Sequence, residues 1–174
     1  MMSNISFLIL RRFIFFLIVQ VFIFNNFNLF GTYDPYICLV FILTFPIKID
    51  KTTFLIISFI FGFILDLFTD SLGLNAAACL TVAFLRSYIM SFIFGAFFDP
   101  IGLKLIKNYV SESSFFQKFL YITSIIILYH FLFFSLEAFS FKFFYLIIYK
   151  TLITSILSII FCYTSILIMV ENEK

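Results

Sequence analysis

Long runs of apolar residues, separated by short polar breaks, are the feature that most limits how this chain can fold. A helix that crosses a bilayer needs about 20 mostly apolar residues. Runs of this kind fill most of the sequence, which is 64% hydrophobic and only 11% charged. A soluble domain has about a quarter of its residues charged, and one of this size could not bury so much apolar surface. The sequence therefore predicts an all-α integral membrane protein, with residues 1–174 forming a single transmembrane domain.

We expect this domain to be a bundle of six transmembrane helices. Their bounds are about 13–30, 34–47, 53–69, 76–98, 119–138 and 145–170. The second is the shortest, because Asp34-Pro35 opens it and Pro46 closes it. Residues 101–110 form either a short interfacial helix on the cytoplasmic face or an ordinary polar loop.

Lysine and arginine predict the orientation of the bundle, because cytoplasmic loops carry an excess of both. With the N-terminus inside, most of these residues fall on the cytoplasmic side: Arg11, Arg12, Lys48, Lys51, Lys104, Lys107, Lys118 and Lys174. Lys142 and Lys150 fall outside, and Arg86 lies within the membrane. If 34–47 did not cross, Lys48 and Lys51 would move outside and the bias would largely vanish. We therefore expect six crossings, with both termini cytoplasmic.

Small and polar residues recur along one face of three predicted helices, and in membranes such residues mark helix contacts. In the third helix they are Ser58, Gly62, Asp66 and Asp70. In the fourth they are Cys79, Ala83, Ser87, Ser91 and Gly95. In the sixth they are Thr151, Ser155, Ser158, Cys162 and Ser165. The short third-to-fourth connection predicts a close antiparallel hairpin. Each stripe serves either packing inside the bundle or contact with a partner protein.

Four ionisable residues fall within the predicted helices: Asp66, Arg86, His130 and Glu137. A charge at the bilayer centre costs about 2.5–3.5 kcal/mol on insertion scales, so each needs a partner, water or the interface. We hypothesise that Asp66 and Arg86 form a structural ion pair between helices. The alternatives are a polar site that binds a partner and a site for transport or catalysis. His130 and Glu137 share one face of the fifth helix.

The sequence carries no recognisable motif for catalysis or metal binding. His130 is the only histidine and cannot complete the H-E-x-x-H zinc motif. The three cysteines, Cys38, Cys79 and Cys162, lie in different apolar runs without metal-binding spacing. A net charge of +2 is too small to indicate nucleic-acid binding. We therefore expect no catalytic residue, metal, cofactor or nucleic-acid partner.

Three stretches, in order along the chain, resemble the MreD family of bacterial rod shape-determining membrane proteins, in its Bacteroidetes-type version. In residues 62–88, GFILDLFTDSLGLNAAACLTVAFLRSY, the matching positions are Gly62, Asp66, Gly73, Ala76, Ala77 and Arg86. In residues 19–46 they are Gln20, Asn25, Pro35 and Pro46, and residues 129–141 cover His130 and Glu137. Ser87 departs from the pattern, which has Pro there.

This resemblance implies a non-enzymatic role in the bacterial cytoplasmic membrane. MreD-like proteins belong to the cell-wall elongation complex, where they bind MreC and act with MreB, RodA and its transpeptidase. It also implies a fold resembling the substrate-binding subunits of vitamin (ECF-type) transporters. The structural or partner-binding candidates are Gly62, Asp66, Gly73, Arg86, His130 and Glu137. The alternative function is that of a small-molecule-binding membrane subunit of a transporter.

Overall fold

The computed structural model describes residues 2–26, 34–47, 49–95 and 114–172, and the regular structure in these ranges is entirely helical. The helices are α1 (Met2–Phe22), α2 (Leu39–Leu43), α3 (Lys51–Thr69), α4 (Leu74–Phe94), α5 (Phe115–Ala138) and α6 (Phe144–Asn172), with 3-10 turns at Phe24–Asn26 and Phe141–Phe143. Five of them, all except α2, are long and apolar enough to cross a membrane. The expectation of an all-helical, multi-pass membrane protein is confirmed.

The five long helices form a ring. Neighbours in the chain pack against each other from α3 through α4 and α5 to α6, and α1 packs against α3. The ring closes where Phe24, just after α1, meets Phe161 of α6 with ring centroids 5.1 Å apart. The α3–α4 and α5–α6 turns lie at the same end of the ring, which we call the hairpin end.

Residues 34–47, which we call the central segment, lie inside this ring. Leu39, Val40 and Ile42 are 0% exposed, and Phe41 and Leu43 are 1% exposed. A helix that is apolar on every side is normally buried on every side. The short helix α2, with the sequence LVFIL, follows this rule.

The prediction of a second transmembrane helix over 34–47 is wrong, since only Leu39–Leu43 are helical in that range. Pro35 and Pro46 provide the physical reason, because proline donates no backbone hydrogen bond and disfavours helical geometry in the residue before it. A helix confined between them has little more than one turn. The remaining backbone groups of the segment need other partners.

The start of the first helix differs most from its predicted position. Helix α1 begins at Met2, so Arg11 and Arg12 lie within it rather than before it. Helix α3 begins at Lys51 and is capped by Asp50, whose carboxylate accepts a hydrogen bond from the Thr52 amide at 3.1 Å, as N-cap residues do. The predicted interfacial helix at 101–110 lies outside the described residues.

Candidate functional site

Arg86 lies on the inner face of α4 and is only 4% exposed. Its Nη2 donates hydrogen bonds to the carbonyls of Phe45 at 2.7 Å and Leu43 at 3.4 Å. Its Nε donates to the Tyr121 hydroxyl at 2.9 Å, and the guanidinium lies 5.0 Å from the centre of the Phe54 ring. Carbonyls at the end of a helix lack helical partners and carry partial negative charge. Among the described residues, Arg86 is thus stabilised by carbonyls at the end of α2 and just beyond it rather than by a carboxylate.

Two further side chains bind the same end of the central segment. The Tyr121 hydroxyl donates to the carbonyl of Leu43 at 3.1 Å, and Nη1 of Arg12 donates to the carbonyl of Thr44 at 3.0 Å. A buried carbonyl without a donor costs about 1–3 kcal/mol. These contacts therefore replace helical hydrogen bonds that the backbone cannot make between α2 and Pro46.

Gln20 of α1 holds the beginning of the central segment and is 1% exposed. Its Oε1 accepts a hydrogen bond from the Cys38 amide at 3.1 Å. Its Nε2 donates to the Pro35 carbonyl at 3.3 Å and to Oδ1 of Asn25 at 3.0 Å. An amide side chain can bind a donor and an acceptor at once. Gln20 therefore serves the backbone at the start of the segment as Arg86 does at its end.

His130 of α5 connects the central segment to two helices. Its Nδ1 lies 2.8 Å from the Ile126 carbonyl, and because a carbonyl only accepts, Nδ1 carries the proton and Nε2 is the acceptor. The Ser158 hydroxyl, 3.3 Å from Nε2, therefore donates to His130. Ser158 Oγ in turn accepts a hydrogen bond from the Tyr36 amide at 2.9 Å. This chain of hydrogen bonds joins the central segment, α6 and α5.

The Ser158–His130 pair has the composition of a nucleophile and its base, but its surroundings differ from those of a reactive pair. Both side chains are 0% exposed. The serine oxygen already accepts from Tyr36, and the second ring nitrogen binds a carbonyl of its own helix instead of a carboxylate. We interpret the pair as part of the packing between helices.

Asp66, near the end of α3, binds the beginning of α4. Its Oδ1 accepts hydrogen bonds from the Asn75 amide at 2.9 Å and from the Ser71 hydroxyl. Its Oδ2 accepts from the Ala76 amide at 2.8 Å. The first amides of a helix have no partner within it and favour a nearby negative charge. Since the N-cap residue of α4 is Gly73, which has no side chain, Asp66 caps α4 from the neighbouring helix.

The hypothesis of an Asp66–Arg86 ion pair is therefore wrong. Asp66 binds α4 at Asn75, and Arg86 lies roughly 16 Å further along that helix at 1.5 Å per residue. Glu137 instead pairs with Lys150 of α6 at 3.4 Å. Glu137 is exposed whereas His130 is buried, so these two residues of α5 do not share one site.

Gly62 sets the close approach of α3 to α4, which the stripes of small residues predict. A Cβ atom at this position would lie 2.6 Å from the Asn75 carbonyl oxygen and 2.7 Å from Cα of Ala76. Carbon atoms do not approach other atoms so closely without a shift, so any side chain would push the helices apart. Gly62 and Asp66 lie one turn apart on α3, and both contact the first turn of α4 at Asn75 and Ala76.

The stripes of α6 and α4 differ in where they lie. The α6 stripe is inside the bundle, with Thr151, Ser155, Ser158 and Cys162 all buried. In α4, Cys79 and Ala83 are buried, Ser87 is half-buried, and Ser91 and Gly95 are exposed. Residues spaced by four advance about 40° more than a full turn each time, so the α4 stripe winds from the interior to the outer surface.

A cavity of about 820 Å³ opens at the hairpin end. It lies among the ends of α1, α3 and α5 and the beginnings of the central segment, α4 and α6. Polar and charged side chains lining it are Asn25, Asp34, Thr69, Asp70, Ser71, Glu137, Lys150 and Thr154. Tyr36, Phe133 and Phe134 add aromatic rings to the wall. Among the described residues, no three His, Cys, Asp or Glu side chains come together to hold a metal ion. We call this space the hairpin cavity.

Sequence reasoning did not single out Tyr121, Tyr129 or Asn75, and it named Gln20 only as a family match. The Tyr129 hydroxyl donates to Oδ1 of Asn75, whose Nδ2 donates to Ser71 Oγ at 2.8 Å. A signal existed for Gln20 and Asn75, because an amide in an apolar run needs a partner. None existed for the tyrosines, since tyrosine is common at membrane interfaces.

Comparison with known proteins assigns this chain to no family. No family model matches it, and no curated protein or solved structure is significantly similar to it. A functional interpretation therefore depends on the residues and the geometry described above.

Proposed function

We propose that this protein is a non-enzymatic membrane scaffold of the MreD type, which binds MreC and acts with MreB, RodA and its transpeptidase in cell-wall elongation. One observation supports this above others. The residues by which the sequence resembles MreD include five that hold the bundle together, namely Gln20, Gly62, Asp66, Arg86 and His130. The resemblance thus lies in residues that fix a framework, which suits a scaffold better than an enzyme.

We also infer six crossings with both termini in the bacterial cytoplasm. The start of the central segment contacts Gln20, and its end contacts Arg12, which is nearer the beginning of α1. The segment therefore runs antiparallel to α1 and returns the chain to the side on which α1 begins. The excess of lysine and arginine on that side favours the cytoplasm. In this topology the hairpin end faces outward.

The exposed half of the α4 stripe is the contact we propose for MreC. Ser91 and Gly95 are exposed, whereas the α6 stripe is already used inside the bundle. Small residues let two helix backbones approach closely in lipid. Phe92, which is 88% exposed, extends beside this strip and would pack along the partner helix. We therefore propose α4, and not α6, as the helix that contacts the partner.

Co-purification tests this assignment. We expect the Ser87→Leu and Ser91→Leu variants to accumulate normally yet to recover much less MreC from detergent extracts, with loss of rod shape in cells. The matched control is Thr164→Leu, since Thr164 is exposed on α6, and it should recover MreC like the natural protein. Normal recovery by a Ser87→Leu, Ser91→Leu double variant would place the contact elsewhere. Failure of the natural protein to recover any MreC would reject the scaffold.

The second candidate function is that of a small-molecule-binding subunit of a membrane transporter. The hairpin cavity favours it, because about 820 Å³ falls within the size range of ligand sites, about 300–1,000 Å³. This candidate predicts that a transporter ATPase co-purifies in place of MreC. Mass spectrometry of the purified complex distinguishes the two functions directly.

A further inference from the structure

Within the described part of the chain, the hairpin cavity is lined by more acidic than basic side chains. Three carboxylate side chains, Asp34, Asp70 and Glu137, line it together with one ammonium group, that of Lys150. Lys150 lies 3.4 Å from Glu137, so these two charges largely compensate each other. The carboxylate of Asp70 forms no hydrogen bond or ion pair with a described residue. A cation entering the cavity would therefore meet an uncompensated negative charge.

The aromatic part of the wall also favours a cation. The Lys150 ammonium lies 5.4 Å from the centre of the Phe134 ring, within the distance at which ring faces attract cations. The wall thus already accommodates one alkylammonium group, between a carboxylate and an aromatic ring. Tyr36 and Phe133 extend the same aromatic surface, with ring centroids 5.7 Å apart.

Tyr36 is a rigid part of this wall. Its amide donates to Ser158, its carbonyl accepts from Cys162 at 3.5 Å, and its ring packs against His130 at 5.4 Å. Its hydroxyl forms no hydrogen bond with a described residue, although the side chain lines the cavity. This wall is already ordered, so binding a ligand would cost little conformational entropy. The Tyr36 hydroxyl could then form a hydrogen bond with a polar group of the ligand.

We propose that the hairpin cavity binds an alkylammonium group, with Asp70 as its counter-charge and the Tyr36–Phe133 wall as its aromatic contact. The group belongs either to a small soluble amine or to a lipid headgroup such as that of phosphatidylethanolamine, because the cavity opens at the helix ends. This proposal deepens the second candidate function and holds equally for a scaffold. Its failure would leave the binding of MreC untouched.

Two variants separate the charge of Asp70 from its structural role. Asp70 ends α3 with a positive φ of 51°, a conformation that asparagine tolerates well. Asp70→Asn therefore removes the charge and keeps the turn. The matched control is Asp50→Asn at the opposite end of α3, because asparagine caps a helix as well as aspartate does. Lys150→Gln removes the competing ammonium group and should have the opposite effect on an incoming cation.

The soluble arm of the test uses calorimetry of the purified full-length protein with ethanolamine, and with uncharged ethylene glycol as the control. The lipid arm uses native mass spectrometry of lipids retained from phosphatidylethanolamine–phosphatidylglycerol nanodiscs. In at least one arm we expect Asp70→Asn to weaken binding at least tenfold, Asp50→Asn to leave it unchanged, and Lys150→Gln to strengthen it several-fold. The arm that responds identifies the source of the amine. If neither arm shows binding, or if Asp70→Asn binds like Asp50→Asn, the proposal is overturned.

Discussion

The guanidinium of Arg86 lies 2.7 Å from the carbonyl oxygen of Phe45, a residue 41 positions earlier in the chain and outside any helix. In a bilayer, backbone polar groups must find partners within the protein. A buried arginine likewise needs partners that offset its lost hydration. The carbonyls at the irregular end of the central segment and the buried guanidinium of Arg86 are thus each other's hydrogen-bond partners, and no carboxylate among the described residues takes part.

Arg86→Met should lower the free energy of unfolding by about 1–3 kcal/mol, because the Phe45 carbonyl loses its buried donor, whereas the Leu43 carbonyl keeps the Tyr121 hydroxyl. Tyr121→Phe, which removes one donor to Leu43, should cost about 1 kcal/mol. Unfolding of the detergent-solubilised protein by SDS, followed by circular dichroism, measures both. The control is Arg11→Met, since Arg11 is exposed. If Arg86→Met matched this control, the contacts of Arg86 would contribute nothing to stability.

The long helices and the buried face of α6 were predictable from the sequence, because burial on one side repeats with the helical period. Thr151, Ser155, Ser158 and Cys162 follow that period and are buried. The central segment was not predictable in the same way. An apolar run of this length fits two structures equally well. It can form a helix exposed to lipid, or an irregular segment that other helices enclose. Only Pro35 and Pro46 distinguish the two.

The partners of the ionisable residues were less accessible to sequence reasoning. An arginine and an aspartate in neighbouring helices suggest an ion pair, because opposite charges are visible in a sequence. The observed partners are backbone groups, carbonyls for Arg86 and amides for Asp66. Every residue has a backbone carbonyl, and every residue except proline has a backbone amide hydrogen. The sequence therefore does not show which of these groups lack a helical partner where a helix is interrupted.

Exchanging the two charges will not rescue stability. Asp66→Arg and Arg86→Asp should each destabilise the protein, and the double variant should show the sum of the two losses, because sites without shared partners are additive within about 0.5 kcal/mol. A double-mutant cycle of SDS unfolding free energies measures the coupling. Asp66→Asn, which keeps one acceptor oxygen, is the mild comparison. A favourable coupling above about 1 kcal/mol would show that Asp66 and Arg86 interact after all.

Gly62→Ala should be much more damaging than the size of a methyl group suggests. The new Cβ would lie 2.6 Å from a backbone oxygen, that of Asn75, and backbone atoms cannot move aside like a flexible side chain. We expect a loss of about 2–3 kcal/mol, at the upper end for overpacking. Gly73→Ala is the matched comparison, because its Cβ would meet nothing within 4 Å and only its φ of 92° is unfavourable. That variant should lose about 1 kcal/mol.

The same unfolding assay decides between crowding and backbone strain as the cause. Equal losses in the two glycine variants would mean that α3 and α4 separate without cost, and that the close contact is not needed. A larger loss for Gly62→Ala, with a lower yield of folded protein, is the expected outcome.

Two serines one turn apart on α6 should respond to the same substitution with opposite signs. Ser155 and Ser158 are 2% and 0% exposed. The Ser155 hydroxyl forms no hydrogen bond with a described residue, whereas Ser158 accepts from Tyr36 and donates to His130. Ser158→Ala should therefore cost about 1–2 kcal/mol, because the Tyr36 amide and His130 Nε2 lose their partner. Ser155→Ala should be neutral or stabilise by up to about 1 kcal/mol, because it removes a buried polar group that is unpaired.

Both substitutions remove one oxygen from the same buried face, so the difference between them isolates hydrogen bonding from volume. Thr164→Ala is the control, because Thr164 lies on the exposed face of α6. It measures the effect of replacing a hydroxyl-bearing side chain of this helix by alanine outside the buried face. Equal destabilisation of Ser155→Ala and Ser158→Ala would mean that the α6 stripe stabilises the bundle by shape alone. The hydrogen bonds that join the central segment to α6 and α5 would then not contribute to its position.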